Sequence, residues 1–265
     1  VQFGFGKSES LITGGSGISK CEIGIKYINH SGLEIEECVI SNSIEGIYSL
    51  DGHFTILDNV QFWGGNYFDA ETGISVEGTL PVAAGRNIGS NENVTSFLFN
   101  TGVGIIANGL EHPTGAIVSN CLFTYSNGGN AAAYFAGAND FDFINNSVST
   151  IDRGTVILAT GNNPNNVNCN EYKDINLASS MSLFNNSETN FLENNFLGEQ
   201  KINFALSTSS IPTQGTQNNP ASNCFSNSND VYDILNTTFL NLGSIPFTYN
   251  YFDDSGDVNQ CQTPN

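Results

Sequence analysis

Apolar and polar positions alternate along this chain in short runs, and the runs are broken by turns rich in Asn and Gly. Gly46-Ile47-Tyr48, Gly73-Ile74-Ser75-Val76, Gly102-Val103-Gly104-Ile105-Ile106 and Gly154-Thr155-Val156-Ile157-Leu158 each open on a glycine and continue as alternating hydrophobics. A period of two with β-branched content is the mark of a strand. The segments 126–130 and 161–166 are turns by composition. No helical periodicity persists. The segment 230–242 comes nearest and reads as a candidate short helix, with Asn236-Thr237-Thr238 unfavourable inside it.

A short motif returns between these runs. It is an apolar residue, two variable residues, then Asn or Cys beside a further hydrophobe. Copies are Ile56–Phe62, Ile117–Phe123, Phe143–Val148 and Phe191–Phe196, with a looser one at Ile35–Ile40. The key positions are Cys38, Asn59, Asn120, Asn146 and Asn194, spaced 21, 61, 26 and 48 apart. The two long gaps are near twice a unit of roughly 24 to 30 residues, a solenoid period. Asn91–Val94 fills the first gap and the region 167–175 the second. A rung of short strands cannot bury its inner face alone, but stacked rungs make parallel sheets around a continuous apolar interior. The expected fold is all-β, a right-handed, single-stranded parallel β-helix of about seven to nine rungs. It spans 1–215, and 216–265 form a closing segment of the same domain. Asn at an inward bend tolerates left-handed backbone and hydrogen-bonds the bend, so the Asn/Cys column reads as structural.

Composition narrows the function. Against 26 Asp+Glu stand 7 Lys+Arg, a net charge of -19, which disfavours nucleic acid and anionic membrane surfaces as partners. No apolar run is long enough for a membrane-spanning helix, so membrane insertion is not expected. The chain opens at Val1 without a basic leader, so it reads either as a chain whose leader was cleaved or as a piece of a longer polypeptide. The 38 Asn and 28 Gly suit turns. The six Cys lie in no C-x-x-C pair, and an even count in such a chain favours disulfides and an oxidising compartment. Cys224 and Cys261 flank the closing segment and are the first candidate pair; Cys21 and Cys38 are the second.

At this point the chain resembles secreted right-handed parallel β-helix proteins, on the Asn/Cys bend motif and the Gly-led strands over about residues 30–200. Its end, Asn223-Cys224-Phe225-Ser226-Asn227, Ile245–Tyr251 and Cys261-Gln262-Thr263-Pro264, resembles the closing segment of Bacteroidetes-type, type IX secreted surface proteins. That resemblance implies a domain of a long extracellular or cell-surface polypeptide.

Candidate chemistry is sparse. A polysaccharide lyase needs a base and a cation at a uronate, and Arg153 beside Asp152 is the best candidate. A glycoside hydrolase needs paired carboxylates; Asp142, between Phe141 and Phe143, reads as the outward side of a strand. His53 and His112 sit in turns without a nucleophile. Asp253, Asp254 and Asp257 around Gly256 form the one candidate Ca²⁺ site; no other cofactor is expected. Trp63 and Tyr67, at a Gly-Gly turn, are candidate glycan-stacking residues. The leading expectation is a non-catalytic structural or adhesive rod segment, with surface glycans or neighbouring copies as partners. A carbohydrate-active β-helix enzyme and a glycan-binding module are the alternatives.

Overall fold

The computed structural model of the 265-residue chain describes residues 2–3, 10–12, 17–28, 33–52, 54–56, 59–64, 72–78, 86–89, 95–99, 102–108, 116–137, 141–158, 164–182, 189–198, 200–207, 212–215, 221–225 and 232–237. Every strand pairing among them is parallel, and no helix occurs among them. The chain runs through three strands per rung, and successive rungs stack, so each strand pairs with its equivalent one rung on. The protein is a parallel β-helix.

The first face stacks Ile23–Ile28, Glu45–Leu50, Thr72–Glu77 and Val103–Asn108. It continues through the later halves of Cys121–Ala136 and Ser147–Leu158, then Leu177–Ser182, Ile202–Ser207 and Tyr232–Thr237. The second runs from Ser10–Ile12 through Leu33–Ile35, Phe54–Ile56, Arg86–Ile88, Ala116–Ser119, Asp142–Ile144 and Asn165–Asn168 to Thr189–Leu192. The third starts at Gly17–Ser19, Val39–Ser41, Gln61–Trp63 and Thr95–Phe99. The earlier halves of Cys121–Ala136 and Ser147–Leu158 follow, then Glu171–Lys173, Asn195–Leu197 and Cys224–Phe225. Two expectations change here. The boundary drawn at 215 falls inside the solenoid, because Cys224–Phe225 and Tyr232–Thr237 extend its ladders. The candidate helix at 230–242 is strand over Tyr232–Thr237, where cross-rung pairing decides the backbone. Residues 238–265 lie outside the described residues.

Alternation becomes packing through ladders. Inward on the third face stand Ile40, Phe62, Phe97, Phe123, Val148, Tyr172, Phe196 and Phe225, all buried. Phe62 and Phe97 stack at 4.8 Å, Phe97 and Phe123 at 4.6 Å, and Phe196 and Phe225 at 5.1 Å, each pair within 8° of parallel. Rungs are about 4.8 Å apart, so identical side chains one rung on stack as offset rings. Gly46, Gly73 and Gly104 occupy one column of the first face and leave room for these rings. A Cβ on Gly73 would lie 2.9 Å from the Phe97 ring and 2.6 Å from the Gly104 carbonyl oxygen. The Gly-led strands read from sequence are therefore a packing requirement of the aromatic ladder.

The corner between the second and third faces holds two adjacent columns. In the first, Glu37, Asn59, Asn120, Asn145, Cys169, Glu193 and Ser222 all have φ between 47° and 58°. Left-handed backbone is costly for most L-residues and least so for Asn. The N–H groups there keep the ladder going: Asn145 donates to Asn168 O at 3.0 Å, Cys169 to Leu192 O at 3.0 Å and Glu193 to Ala221 O at 2.7 Å. One residue later comes the inward column, Cys38, Val60, Thr95, Cys121, Asn146, Asn170, Asn194 and Asn223, all buried. Here the amides form a chain. Asn170 Oδ1 accepts from the backbone and side-chain N–H of Asn146 (2.9 and 3.0 Å), and Asn170 Nδ2 donates to Phe143 O and Asn194 Oδ1 (2.8 and 3.0 Å). Asn194 repeats the pattern with Val167 O and Asn223.

The single column expected from sequence is thus two. Cys38, Asn146 and Asn194 stand in the inward one, whereas Asn59 and Asn120 stand one residue earlier, in the left-handed one. The inward slots of their rungs are taken by Val60 and Cys121.

The two columns predict different costs. Asn170→Ala removes an acceptor and two donor bonds at a buried corner and orphans their partners, at about 1–3 kcal/mol for each group left unpaired. Asn59→Ala, at an exposed site, costs less than about 2 kcal/mol, chiefly left-handed strain. Urea denaturation of both variants checks this; equal losses would show that the amide ladder carries no special burden.

Candidate functional site

Arg153 Nε lies 3.7 Å from Asp152 Oδ2, with both side chains about half exposed (46% and 47%). Asp152 Oδ1 also accepts from Asn176 Nδ2 at 2.8 Å. The arginine therefore caps its own neighbour on the rod's outside. Asp142 lies on the outer side between buried Phe141 and Phe143, and there accepts from Asn166 Nδ2 at 2.6 Å. Asn190 Nδ2 donates in turn to Asn166 Oδ1 at 3.0 Å, so Asp142 terminates an outer amide ladder. Among the described residues no group of three His, Cys, Asp or Glu is placed to hold a metal ion. Asp253, Asp254, Asp257, His53, His112 and Tyr67 lie outside the described residues.

A second cluster sits on the outer side of the first face. Tyr48 donates to Glu77 Oε2 at 3.0 Å, and the Lys26 ammonium stands 5.7 Å from the Tyr48 ring centre. Burial, and then the charge of Glu77, push the Glu45 carboxyl above the usual carboxylate range; Lys26 opposes this and Glu22 adds to it. Burial, then the bond to Glu77, raise the Tyr48 phenol. Tyr27, inside the rod, is pushed up to about 12 by burial. The shifts of Glu45 and Tyr48 follow from packing carboxylates on a half-buried strand surface, and that of Tyr27 from burial in the core.

The cysteines divide cleanly. Cys21, Cys38, Cys121 and Cys169 are free thiols, so the Cys21–Cys38 bridge expected from sequence is not formed. Cys38 points inward at the corner between the second and third faces, whereas Cys21 sits at the next corner, with its thiol donating to Ser19 O at 3.3 Å. Neighbouring rungs bring like corners together, not different ones. Burial pushes the Cys121 thiol well up, partly offset by its hydrogen bond to Ser119 O. Cys169 is exposed, and its thiol donates to Glu193 Oε2 at 3.2 Å. Cys224 is disulfide-bonded; Cys261, its expected mate, lies outside the described residues.

The outer side of the third face is uncharged over its earlier rungs, and charge returns on it at Glu171 and Lys173. From Gly17 to Ser149 its outward positions are Gly17, Ser19, Val39, Ser41, Gln61, Trp63, Ser96, Leu98, Leu122, Thr124, Ser147 and Ser149. None is charged. The outer sides of the other faces carry Glu34 and Asp142, and Lys26, Glu45, Glu77 and Arg153. Trp63 is 50% exposed, and Ile44, at 39%, is the other exposed large hydrophobe among the described residues. Ser41 and Leu98 are the direct cross-rung partners of Trp63. Gln61, on the same side of the strand, donates to Asn59 Oδ1 at 3.4 Å.

Asn170 and Asn223 are ladder residues outside the motif copies recognised in the sequence. The signal for Asn170 was present: Val167-Asn168-Cys169-Asn170 repeats as Phe191-Leu192-Glu193-Asn194, 24 residues on. Lost from view as well was a second buried polar column, in which Asn165 Oδ1 accepts from Phe141 N at 3.2 Å and Gln214 Oε1 from Phe191 N at 2.6 Å. Gln in place of Asn hides it in sequence.

Two measurements follow. In native protein a thiol reagent labels Cys169 and Cys21 and spares Cys38 and Cys121 until unfolding, while non-reducing peptide maps link Cys224 to Cys261; a labelled Cys224 contradicts this. For Glu45 the folded-state pKa lies above the unfolded one, so its stability contribution is complete below the unfolded value, about 4.3, and is lost as pH rises through the folded one. Glu45→Gln therefore raises the urea midpoint at pH 7 and has no such effect at pH 4. An unchanged midpoint at pH 7 contradicts the assignment. No protein-family model, curated protein or solved structure matches the chain.

Proposed function

We propose that this chain is a non-catalytic rod segment of an extracellular surface or filament protein, used for stiffness and display. The observation that carries the reading is the investment of side chains in rung-to-rung ladders. Aromatic rings, inward amides, left-handed corners and outer amides each continue from one rung to the next. A ladder of this kind resists bending and adds length without new design, because each rung presents the same surface to the next. The expected Cys224–Cys261 bridge and the composition fit an oxidising exterior. The carbohydrate-active alternative rests on Arg153, and that guanidinium is turned to Asp152 on the outside of the rod.

The test has two parts. Antibodies against the chain label intact source cells; labelling only after permeabilisation contradicts the extracellular placement. Polygalacturonate and alginate, with and without Ca²⁺, release no unsaturated products or reducing ends. Cleavage that disappears in Arg153→Ala would establish the lyase instead.

A further inference from the structure

The outer side of the third face has the chemistry of a binding surface, and we propose that it binds a neutral, extended glycan, with one sugar ring stacked on Trp63. This goes beyond the rod reading by giving the rod a ligand, and it stands on different residues.

Three observations lead there. The first is charge. In a chain with 33 charged residues, the twelve outward positions from Gly17 to Ser149 carry none, and charge returns on this face only one rung further, at Glu171 and Lys173. A solvated sheet face with no function to serve would share in the charge that keeps the rest of this surface soluble. The second is Trp63 itself. Among the described residues it is the most exposed large hydrophobic side chain, at 50%, and Ile44, the other one, lies three residues beyond Ser41, the rung partner of Trp63. Nothing in the packing requires an indole there, since its rung equivalents are Ser41 and Leu98.

The third is the company Trp63 keeps. A protein-binding hot spot is an aromatic residue ringed by side chains that exclude water. Here the outward neighbours alternate small apolar groups with hydroxyls and an amide: Ser41, Gln61, Ser96, Thr124 and Ser149. A pyranose has the matching surface, with an apolar C–H face for the indole and a rim of hydroxyls for uncharged donors and acceptors. The net charge of -19 opposes a uronate or sulfated chain. Repetition of the outward rows Val39–Gln61–Ser96–Leu122–Ser147 and Ser41–Trp63–Leu98–Thr124–Ser149 at each rung, about 4.8 Å apart, favours an extended glycan over a single sugar.

Trp63 is the chain's single tryptophan, so intrinsic fluorescence reports on this site alone. The whole chain is titrated with xyloglucan, galactomannan and xylan, and with polygalacturonate as the charged comparison, following emission wavelength and acrylamide quenching. At least one neutral polysaccharide shifts the emission to the blue and lowers quenching several-fold, and polygalacturonate does not. The same polysaccharide retards the protein in an affinity gel. Trp63→Ala abolishes that retardation and Trp63→Phe keeps part of it, with circular dichroism unchanged in both. The proposal is overturned if no neutral polysaccharide protects Trp63, or if Trp63→Ala is retarded like the parent. It is also overturned if Trp63 becomes protected with rising protein concentration alone, which would make this face an interface between copies. Cleavage of the bound polysaccharide would overturn the non-catalytic reading and leave the binding face intact.

Discussion

Each rung of a parallel β-helix must turn its backbone out of one sheet and into the next without leaving buried peptide groups unpaired. In the interior of a rod no water is at hand to satisfy them, and each orphaned group costs on the order of 1–3 kcal/mol. At the corner between the second and third faces two side-by-side devices meet that demand. A residue in left-handed conformation turns the chain while its N–H still reaches the carbonyl of the next rung. The following residue points inward, and from Asn146 onward its Nδ2 donates both to a carbonyl of the preceding rung and to the amide oxygen one rung later. Strand register, ring stacking and the shape of the outer faces all follow from corners that repeat in place.

The corners also explain why the two ends of the rod differ in chemistry. Cys38, Val60, Thr95 and Cys121 fill the inward slot in the earlier rungs, and these side chains pack there instead of forming an amide chain. The aromatic ladder is continuous over Phe62, Phe97 and Phe123 in that half. In the later rungs Val148 interrupts the rings, stacking resumes over Tyr172, Phe196 and Phe225, and the amide ladder runs beside it. Ring stacking and amide bonding thus share the length of the molecule. Both act between neighbours at one spacing, so both favour addition of rungs over any other use of the chain.

How much of this was legible in the residues depends on how local the signal is. Parallel solenoid architecture follows from short alternating runs and a returning motif. Phe141-Asp142-Phe143 shows by alternation alone which way each side chain points, and the structure places them so. Register at the corner was harder. Asn59 and Asn120 look like Asn146 and Asn194 because Asn suits both the left-handed slot and the inward one, for different reasons, and composition does not separate the two. The Cys21–Cys38 pairing failed for a related cause: separation along the chain is near one rung, yet the residues sit at different corners. Trp63 was legible as a candidate, and its exposure could not be read from its neighbours, because the same run of aromatics would serve a core equally well.

Native-state hydrogen exchange tests the central claim most directly, because it reads the stability of each corner separately. If the amide ladder holds the corners, the backbone amides of Asn146, Asn170 and Asn194, each bonded to the Asn Oδ1 of the next rung, exchange only through global unfolding and share one free energy with the strands they join. Fast, independent exchange of these three amides, with the strands of the third face still protected, would show that the corners open locally and that the rod is held by its sheets and rings alone.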